Sequence, residues 1–314
     1  MNRNKAYHAA IEQAAYYIVP APGYLLISGD TRRDYLQRQT SNDLSQLVPN
    51  RALPTLLPTA TGRILEVFTL LAEDEQLGLI SQPGHGSGLA AYFQKHRFFN
   101  DQVDIKDEGS AWMQMELHGP RAAEALSKLG FAKAPALDEG LETTWQGQPL
   151  RAIGEEGFGQ PLKIRVLAPT GASQQLVQLL ANLEELDLAT RRILRVEARV
   201  AGDPEFNGEY TPFEVGLDRL VSANKGCYTG QEVLARQVTY DKIVRKLTLL
   251  RATETLESGA VVHAEGKPIG KITSTALSPR FGVLALAVLR RPYDESDTML
   301  EILQNRRSIL ATVN

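Results

Sequence analysis

From about Lys246 to the carboxyl end the sequence reads as short strand-like runs punctuated by Gly and Pro turns, Glu265-Gly266-Lys267-Pro268 among them. Runs of that length can bury their apolar residues only by pairing with one another, so this stretch is expected to form a small all-β lobe, a barrel. The preceding sequence has a different rhythm. Gly23 to Gly29 enclose a strand-like run, and Asp30 or Thr31 offers a side-chain oxygen to cap a helix running to Gln39. Met113 to Leu117, His118-Gly119-Pro120 and the helical Ala122 to Leu129 repeat that plan, a weak internal echo. Between them Leu53 to Leu57, Arg63 to Leu71 and Gln76 to Ser81 read as an antiparallel meander. Trp145 to Leu167 reads as hairpins, Ser173 to Leu186 as an amphipathic helix, and Thr190 to Ala201 as another that stops at Gly202. The chain is therefore expected to be α+β and multi-lobed.

Composition narrows the function classes. A chain of 314 residues, 43% hydrophobic and 23% charged, is an ordinary globular protein with length for about two or three domains. Lys+Arg 34 against Asp+Glu 37 leaves a formal net charge of -3, so there is no general basic excess to hold a phosphate backbone, and direct nucleic-acid binding is not expected. No apolar run approaches the ~20 residues that cross a bilayer, and Met1 to Tyr17 lacks a signal-peptide core. One cysteine cannot close an intramolecular disulfide. These features point to a soluble protein of a reducing compartment with no membrane partner, the cytoplasm first and an organelle matrix second.

Several chemistries lack their residues. The five histidines are scattered without a His-Glu-x-x-His spacing or paired cysteines, so no stable metal centre is expected. Gly266-Lys267 is followed by Pro268, which breaks a Walker A pattern, and no Ser sits in a Gly-x-Ser-x-Gly elbow. Gly84, Gly86 and Gly88 precede a helix read over Leu89 to Phe99; their spacing fits neither phosphate fingerprint, and a flexible turn is the simpler reading.

The most informative segment is Lys225-Gly226-Cys227-Tyr228-Thr229-Gly230-Gln231-Glu232. Thr229 and Glu232 have capping-box spacing ahead of Val233-Leu234-Ala235, which places Cys227 just upstream of a helix amino terminus. The partial positive charge there and the ammonium of Lys225 would both favour thiolate. A lone cysteine is often a small buried hydrophobe, but Lys, Gly, Tyr and Thr are poor core company, and a functional thiol fits them better.

These eight residues resemble the Lys-Gly-Cys-[Tyr/Phe]-x-Gly-Gln-Glu signature of the YgfZ proteins, folate-binding relatives of the glycine-cleavage T-protein (aminomethyltransferase). Ile27-Ser28-Gly29-Asp30 with Thr40-Ser41-Asn42-Asp43, Leu117-His118-Gly119-Pro120, Thr211-Pro212-Phe213-Glu214 and Gly270-Lys271-Ile272-Thr273-Ser274 extend the resemblance over nearly the whole chain. It implies a three-lobed aminomethyltransferase-like folate-binding fold, with residues 1–242 forming two lobes and 243–314 the antiparallel barrel. It also implies tetrahydrofolate or a derivative as ligand, and a role in making or repairing iron–sulfur clusters, with client enzymes or cluster carriers as partners.

Within that resemblance Cys227 and Lys225 are the expected working residues, and Glu197, Tyr228 and Gln231 the expected folate contacts. A pterin offers a 2-amino group beside N3–H, an edge that one carboxylate can accept. Glu197 shares a helix face with Ile193, Leu194, Val200 and Ala201, and Leu194-Arg195-Val196-Glu197 matches the Leu-Arg-x-Glu pattern whose Glu contacts the pterin in T-proteins. An ion pair of Glu197 with Arg192 or Arg195 is the alternative. Where the transferases carry adjacent aspartates this chain reads Leu65-Glu66, and strand alternation turns Glu66 to the face opposite Leu65. Leucine cannot act as an acid or base, which weighs against aminomethyl transfer and leaves folate binding intact. A true tetrahydrofolate-dependent aminomethyltransferase and a non-catalytic interaction module with a vestigial pocket are the competing readings.

Overall fold

The computed structural model describes residues 3–73, 75–305 and 307–314. Two compact units emerge: one from residues 1–58, 66–187 and 220–229, the other from 59–65, 188–219 and 230–314.

The first unit contains two sheets and five helices. Its strands are β1 (Ala15–Ile18), β2 (Gly23–Ser28), β3 (Ala52–Pro58), β4 (Ile64–Ala72, whose first two residues belong to the second unit), β5 (Gln76–Ser81), β6 (Asp104–Asp107), β7 (Trp112–His118), β8 (Gly140–Trp145), β9 (Gln148–Glu156), β10 (Leu162–Pro169) and β11 (Glu184–Glu185). The helices are α1 (Arg3–Glu12), α2 (Arg32–Gln39), α3 (Gly86–Lys95), α4 (Ala122–Lys128) and α5 (Ser173–Leu179). One sheet runs β3-β4-β5-β2-β6 and the other β11-β1-β7-β10-β9-β8. Alternation along β2, β4 and β5 puts Leu25, Ile27, Phe68, Leu70 and Leu79 on one face, where Tyr35 and Leu36 of α2 and Phe93 of α3 cover them. The Tyr35 hydroxyl donates to the Phe93 carbonyl at 2.7 Å, tying the two helices across that core. Met115, Leu117, Ile164 and Val166 of the second sheet are covered by Leu126 of α4 and Leu176 of α5.

The second unit has α6 (Leu188–Glu197), α7 (Gln231–Thr239) and strands β12 (Arg245–Ala252), β13 (Val261–Ala264), β14 (Lys267–Ser278), β15 (Gly282–Arg290), β16 (Met299–Gln304) and β17 (Arg307–Val313). The six strands close into a barrel in the order β12-β15-β14-β13-β16-β17, all pairs antiparallel, as the turn-punctuated sequence requires. Val262, Ile272, Ala287, Leu289 and Ile302 fill its interior. Glu265 and Gly266 link β13 to β14 with φ of 51° and 74°, the two left-handed positions that a two-residue hairpin loop needs. A register shift between Ile272 and Ser274 bulges β14 where it meets β15.

Helix bounds depart from expectation where local chemistry intervenes. The helix expected over Ser173 to Leu186 ends at Leu179, and the chain then supplies β11, because Glu184 and Glu185 pair in parallel with Ala15 and Tyr16. The helix expected over Thr190 to Ala201 spans Leu188–Glu197, and Arg199 beyond it has a left-handed φ of 57°. The helix expected from Leu89 to Phe99 spans Gly86–Lys95, so two of the three glycines lie inside it. Thr31 is the cap residue of α2, yet no side chain bonds the first turn there.

Candidate functional site

The loop around Cys227 belongs to the first unit and is stitched to the carboxyl end of α2. A helix leaves its last carbonyls without intrahelical donors. The loop supplies them: Thr229 N–H donates to Arg38 O at 3.3 Å, and Lys225 Nζ to Thr40 O at 2.7 Å and Asn42 O at 2.6 Å. Ser222 N–H donates to Ser41 O at 2.9 Å, and Ser41 Oγ to Leu220 O at 2.6 Å. A cation at a helix carboxyl end also meets the favourable end of the dipole. Lys225 and Tyr228 are both buried, with the ammonium 5.1 Å from the phenol ring centroid. Burial pushes the Tyr228 hydroxyl up to about 12, so the ring is a neutral wall. Gly226 and Cys227 arch between these anchors, and the thiol is exposed.

Lys225 therefore serves as the bolt of the loop. Burial pushes its pKa down to about 8, against the pull of Asp43. It binds a proton less readily folded than unfolded, so burial sets a cost against the ammonium's hydrogen bonds, a cost felt in full below about 8 and relieved as pH rises toward the unfolded value near ~10.4. Unfolding free energies of wild type and Lys225→Met, measured between about pH 7 and pH 10.5, should diverge in favour of wild type as pH rises. A pH-independent difference would show that burial does not hold the ammonium's pKa down.

The Thr229–Glu232 capping box does not form. α7 starts at Gln231 with Gly230 as its cap residue, no side chain bonds the first turn, and Glu232 pairs with Arg236 at 2.6 Å. Gly230 has a φ of 79°, and a Cβ there would stand 2.3 Å from the Thr59 carbonyl oxygen. The close approach of backbone at Gly230 sets the chain direction, which is why a side-chain cap plays no part.

On β4, Leu65 is 37% exposed while Glu66 is buried, so the two point to opposite faces as alternation demands. Glu66 Oε2 lies 2.6 Å from His85 Nδ1, and Val67 N–H donates to Oε1 at 3.1 Å. Burial raises the Glu66 pKa while His85 opposes the rise. This carboxylate–imidazole pair, linking β4 to the start of α3, was not foreseen from the sequence.

In the second unit, Glu197 is the last residue of α6 and half-buried, and Gln231 is the half-buried first residue of α7. Arg195, one of the two arginines weighed as a partner for Glu197, donates into a buried cluster. Its Nη1 donates to Glu205 Oε2 at 3.2 Å and Val200 O at 2.8 Å, and its Nη2 to Ser274 Oγ at 2.6 Å. Ser274 Oγ in turn donates to Glu205 Oε1 at 3.2 Å, and Gly202 N–H to Glu205 Oε2 at 2.7 Å. The β14 bulge aims Ser274 at this cluster, so α6 is locked to the barrel through a charged contact. Arg192, the other arginine, reaches Ser258 Oγ at 3.4 Å. Glu214, also buried, receives Arg63 Nη1 at 3.2 Å, Arg245 Nε at 2.8 Å and Thr211 N–H at 2.9 Å. A Pro at the first or second position of a short turn with Glu at the third marks both Glu205 and Glu214 as turn starts; that either carboxylate would be buried is not written there.

Lys225, Cys227 and Tyr228 thus share one loop of the first unit, and Glu197 and Gln231 lie on helices of the second. Among the described residues no three His, Cys, Asp or Glu side chains group in a way that could hold a metal ion, and no helix is long and apolar enough to cross a membrane.

Comparison with known proteins gives this geometry a family. Residues 4–225 match the GCVT N-terminal domain, and residues 245–314 match the glycine cleavage T-protein C-terminal barrel domain. A putative chloroplastic transferase of Arabidopsis thaliana is 29% identical over 261 residues, covering 80% of this chain but only 59% of that longer protein. An aminomethyltransferase of Oceanobacillus iheyensis is 28% identical over 328 aligned positions, covering 96% of this chain and 85% of its own length. The crystal structure of glycine cleavage system aminomethyltransferase T from Bartonella henselae superposes with a TM-score of 0.87 at 19% identity, covering 99% of this chain and 88% of that one, a likeness of fold. With both domain models matched in order along the chain, this protein belongs to the glycine cleavage T-protein family.

Proposed function

We propose that this protein is a folate-binding accessory factor of the YgfZ kind, which supports assembly or repair of iron–sulfur clusters in client enzymes through Cys227. The observation that carries this reading is the exposed thiol on a loop whose two flanks are bolted to a helix end. A packed, inert cysteine needs no such scaffold. Four thiolates usually hold a cluster, and this chain has one cysteine, so its contact with iron or sulfur is transient and shared with a partner or a small thiol. Complementation of cells lacking the protein, with several iron–sulfur enzymes assayed side by side, tests it.

Tetrahydrofolate, or a derivative, is the ligand we assign, with Glu197 accepting the 2-amino and N3 hydrogens of the pterin. The half-buried carboxylate suits that edge, and α6 is held still by the Arg195–Glu205–Ser274 cluster. Tyr228 and Gln231 are the further contacts proposed. Glu197→Ala is expected to weaken tetrahydrofolate binding by about 2 to 4 kcal/mol, read by calorimetry. An unchanged dissociation constant would place the pterin elsewhere, and no detectable folate binding by wild type would favour an interaction module with a vestigial pocket.

The aminomethyltransferases among the relatives favour a second reading, tetrahydrofolate-dependent release of ammonia from an aminomethyl carrier protein. Exposed Leu65, in place of an acid–base carboxylate, weighs against it, and Glu66 is turned away and engaged with His85. Turnover in that assay would install the transferase reading.

A further inference from the structure

A cleft of about 530 Å³ lies in the first unit, where the end of β1 and the start of β7 face α5, a size within the ~300–1,000 Å³ of small-molecule sites. Its walls are apolar. Ile18, Trp112 and Val177 are half-buried, each packed on a core cluster and also lining the cleft. The Trp112 ring leans on Tyr24, with centroids 5.3 Å apart and planes at 50°. Backbone ties hold the walls apart. Thr170 Oγ1 donates to the Ser110 carbonyl at 2.9 Å, which joins the turn before α5 to the turn before β7. Val19 N–H donates to Gln114 O at 2.9 Å and Gln114 Nε2 to Gly23 O at 3.2 Å, so the segment between β1 and β2 is fixed at both ends to β7. At Gly109 a Cβ would stand 2.4 Å from the Pro22 carbonyl oxygen, a close approach that only glycine permits. Water in so apolar a cleft finds few polar partners, and a ligand that displaces it gains by burying its own apolar surface.

The lining also states the class of ligand. Among the described residues no Asp, Glu, Lys, Arg or His lines the cleft, in a chain that is 23% charged. An ion placed there would lose hydration and meet no counter-charge, so the cleft selects against anions and cations alike. Its polar side chains include the Ser173 hydroxyl and the Gln174 and Gln178 amides, each able both to donate and to accept. Gln174 and Gln178 stand four residues apart on one face of α5, beside the row of Ser173 and Val177. The indole of Trp112 offers a flat surface for stacking. The complement of these walls is a planar uncharged ring with a donor beside an acceptor, as in a lactam.

We propose that this cleft binds an uncharged planar heteroaromatic molecule with a lactam or amide edge, its ring against Trp112 and its edge toward Gln174 and Gln178. Neither the Cys227 loop nor Glu197 lines it, so the site is separate from the folate contacts and stands independently of the accessory-factor reading. The two tryptophans supply the readout, since Trp112 lines the cleft and Trp145, on β8, does not. In nuclear magnetic resonance spectra of the full chain, carbostyril, a neutral bicyclic lactam, should shift the Trp112 indole N–H signal, assigned with Trp112→Phe, and leave that of Trp145 in place. Its dissociation constant should lie below about 1 mM. Naphthoate, an anion, and methylquinolinium, a cation, should each bind at least about tenfold more weakly. Val177→Trp, which fills the cleft, should weaken carbostyril by about tenfold or more. Gln174→Ala combined with Gln178→Ala changes exposed positions only, so it keeps the fold, and it should cost about tenfold through the lost lactam contacts. Glu197→Ala should leave carbostyril binding unchanged; a loss there would put the lactam on the folate site and overturn the proposal. An unmoved Trp112 signal, a shift shared by Trp145, naphthoate bound as tightly as the lactam, or full affinity in the double glutamine variant would each overturn it as well.

Discussion

Cells that carry Cys227→Ser as their only copy of this protein should have iron–sulfur enzyme activities as low as cells without the protein at all. The substitution exchanges one atom at an exposed position, and surface changes of that kind usually shift stability by no more than about 0.5 kcal/mol, so the protein should accumulate normally. The loop anchors do not involve the sulfur: Lys225, Thr229 and Ser222 keep their carbonyl partners on the α2 end. What changes is chemistry. A hydroxyl is neither a soft ligand for iron nor a partner in thiol–disulfide exchange, whereas a thiolate is both. Equal accumulation and equal folate affinity, together with lost activity of client enzymes, would locate the function in the sulfur. Full activity with Cys227→Ser would remove it from the mechanism.

Removing Glu205 should cost about 3–5 kcal/mol of stability, the scale for breaking a buried ion pair on one side. Glu205→Ala leaves the buried Arg195 guanidinium without its counter-charge and the Ser274 hydroxyl and Gly202 N–H without their acceptor. The loss falls on the junction between α6 and the bulged strand β14. Urea unfolding followed by far-UV dichroism reads it as a lower midpoint, and the double variant Arg195→Met with Glu205→Leu should recover most of the loss, because an apolar pair needs no compensation. An unchanged midpoint for Glu205→Ala would show that the cluster contributes nothing. Tetrahydrofolate affinity should fall with the single variant, since α6 carries Glu197 at its end.

The barrel, the meander and the hairpins were legible because period-2 alternation and turn residues are local signals, and residues 245 to 313 contain little else. Helix ends were less legible. Ser173 to Leu186 has helical periodicity throughout, yet parallel pairing of Glu184 and Glu185 with a strand at the opposite end of the chain overrides it. The cap at Gly230 was misread for a related reason: Thr229 and Glu232 have the right spacing, and only the approach of the Thr59 carbonyl reveals that the position demands glycine. The cysteine loop could be singled out from its neighbours, and its exposure followed from them. Nothing in Lys225 itself says that its ammonium reaches backward to the carbonyls of Thr40 and Asn42. Glu205 and Glu214 showed the same blindness, since sequence spacing identifies a turn and is silent on which distant arginine will close over it.

The bolt formed by Lys225 has a consequence for synthesis. Its ammonium is made long after the carbonyls of Thr40 and Asn42, so a ribosome-bound chain shows the end of α2 with those acceptors still hydrated and no arch for the sulfur. A nascent or truncated chain that stops short of the loop cannot present a half-built thiol to passing metal or oxidant. Competence arrives in a single late step, when the last segment of the first unit returns to the helix that was among the first to emerge.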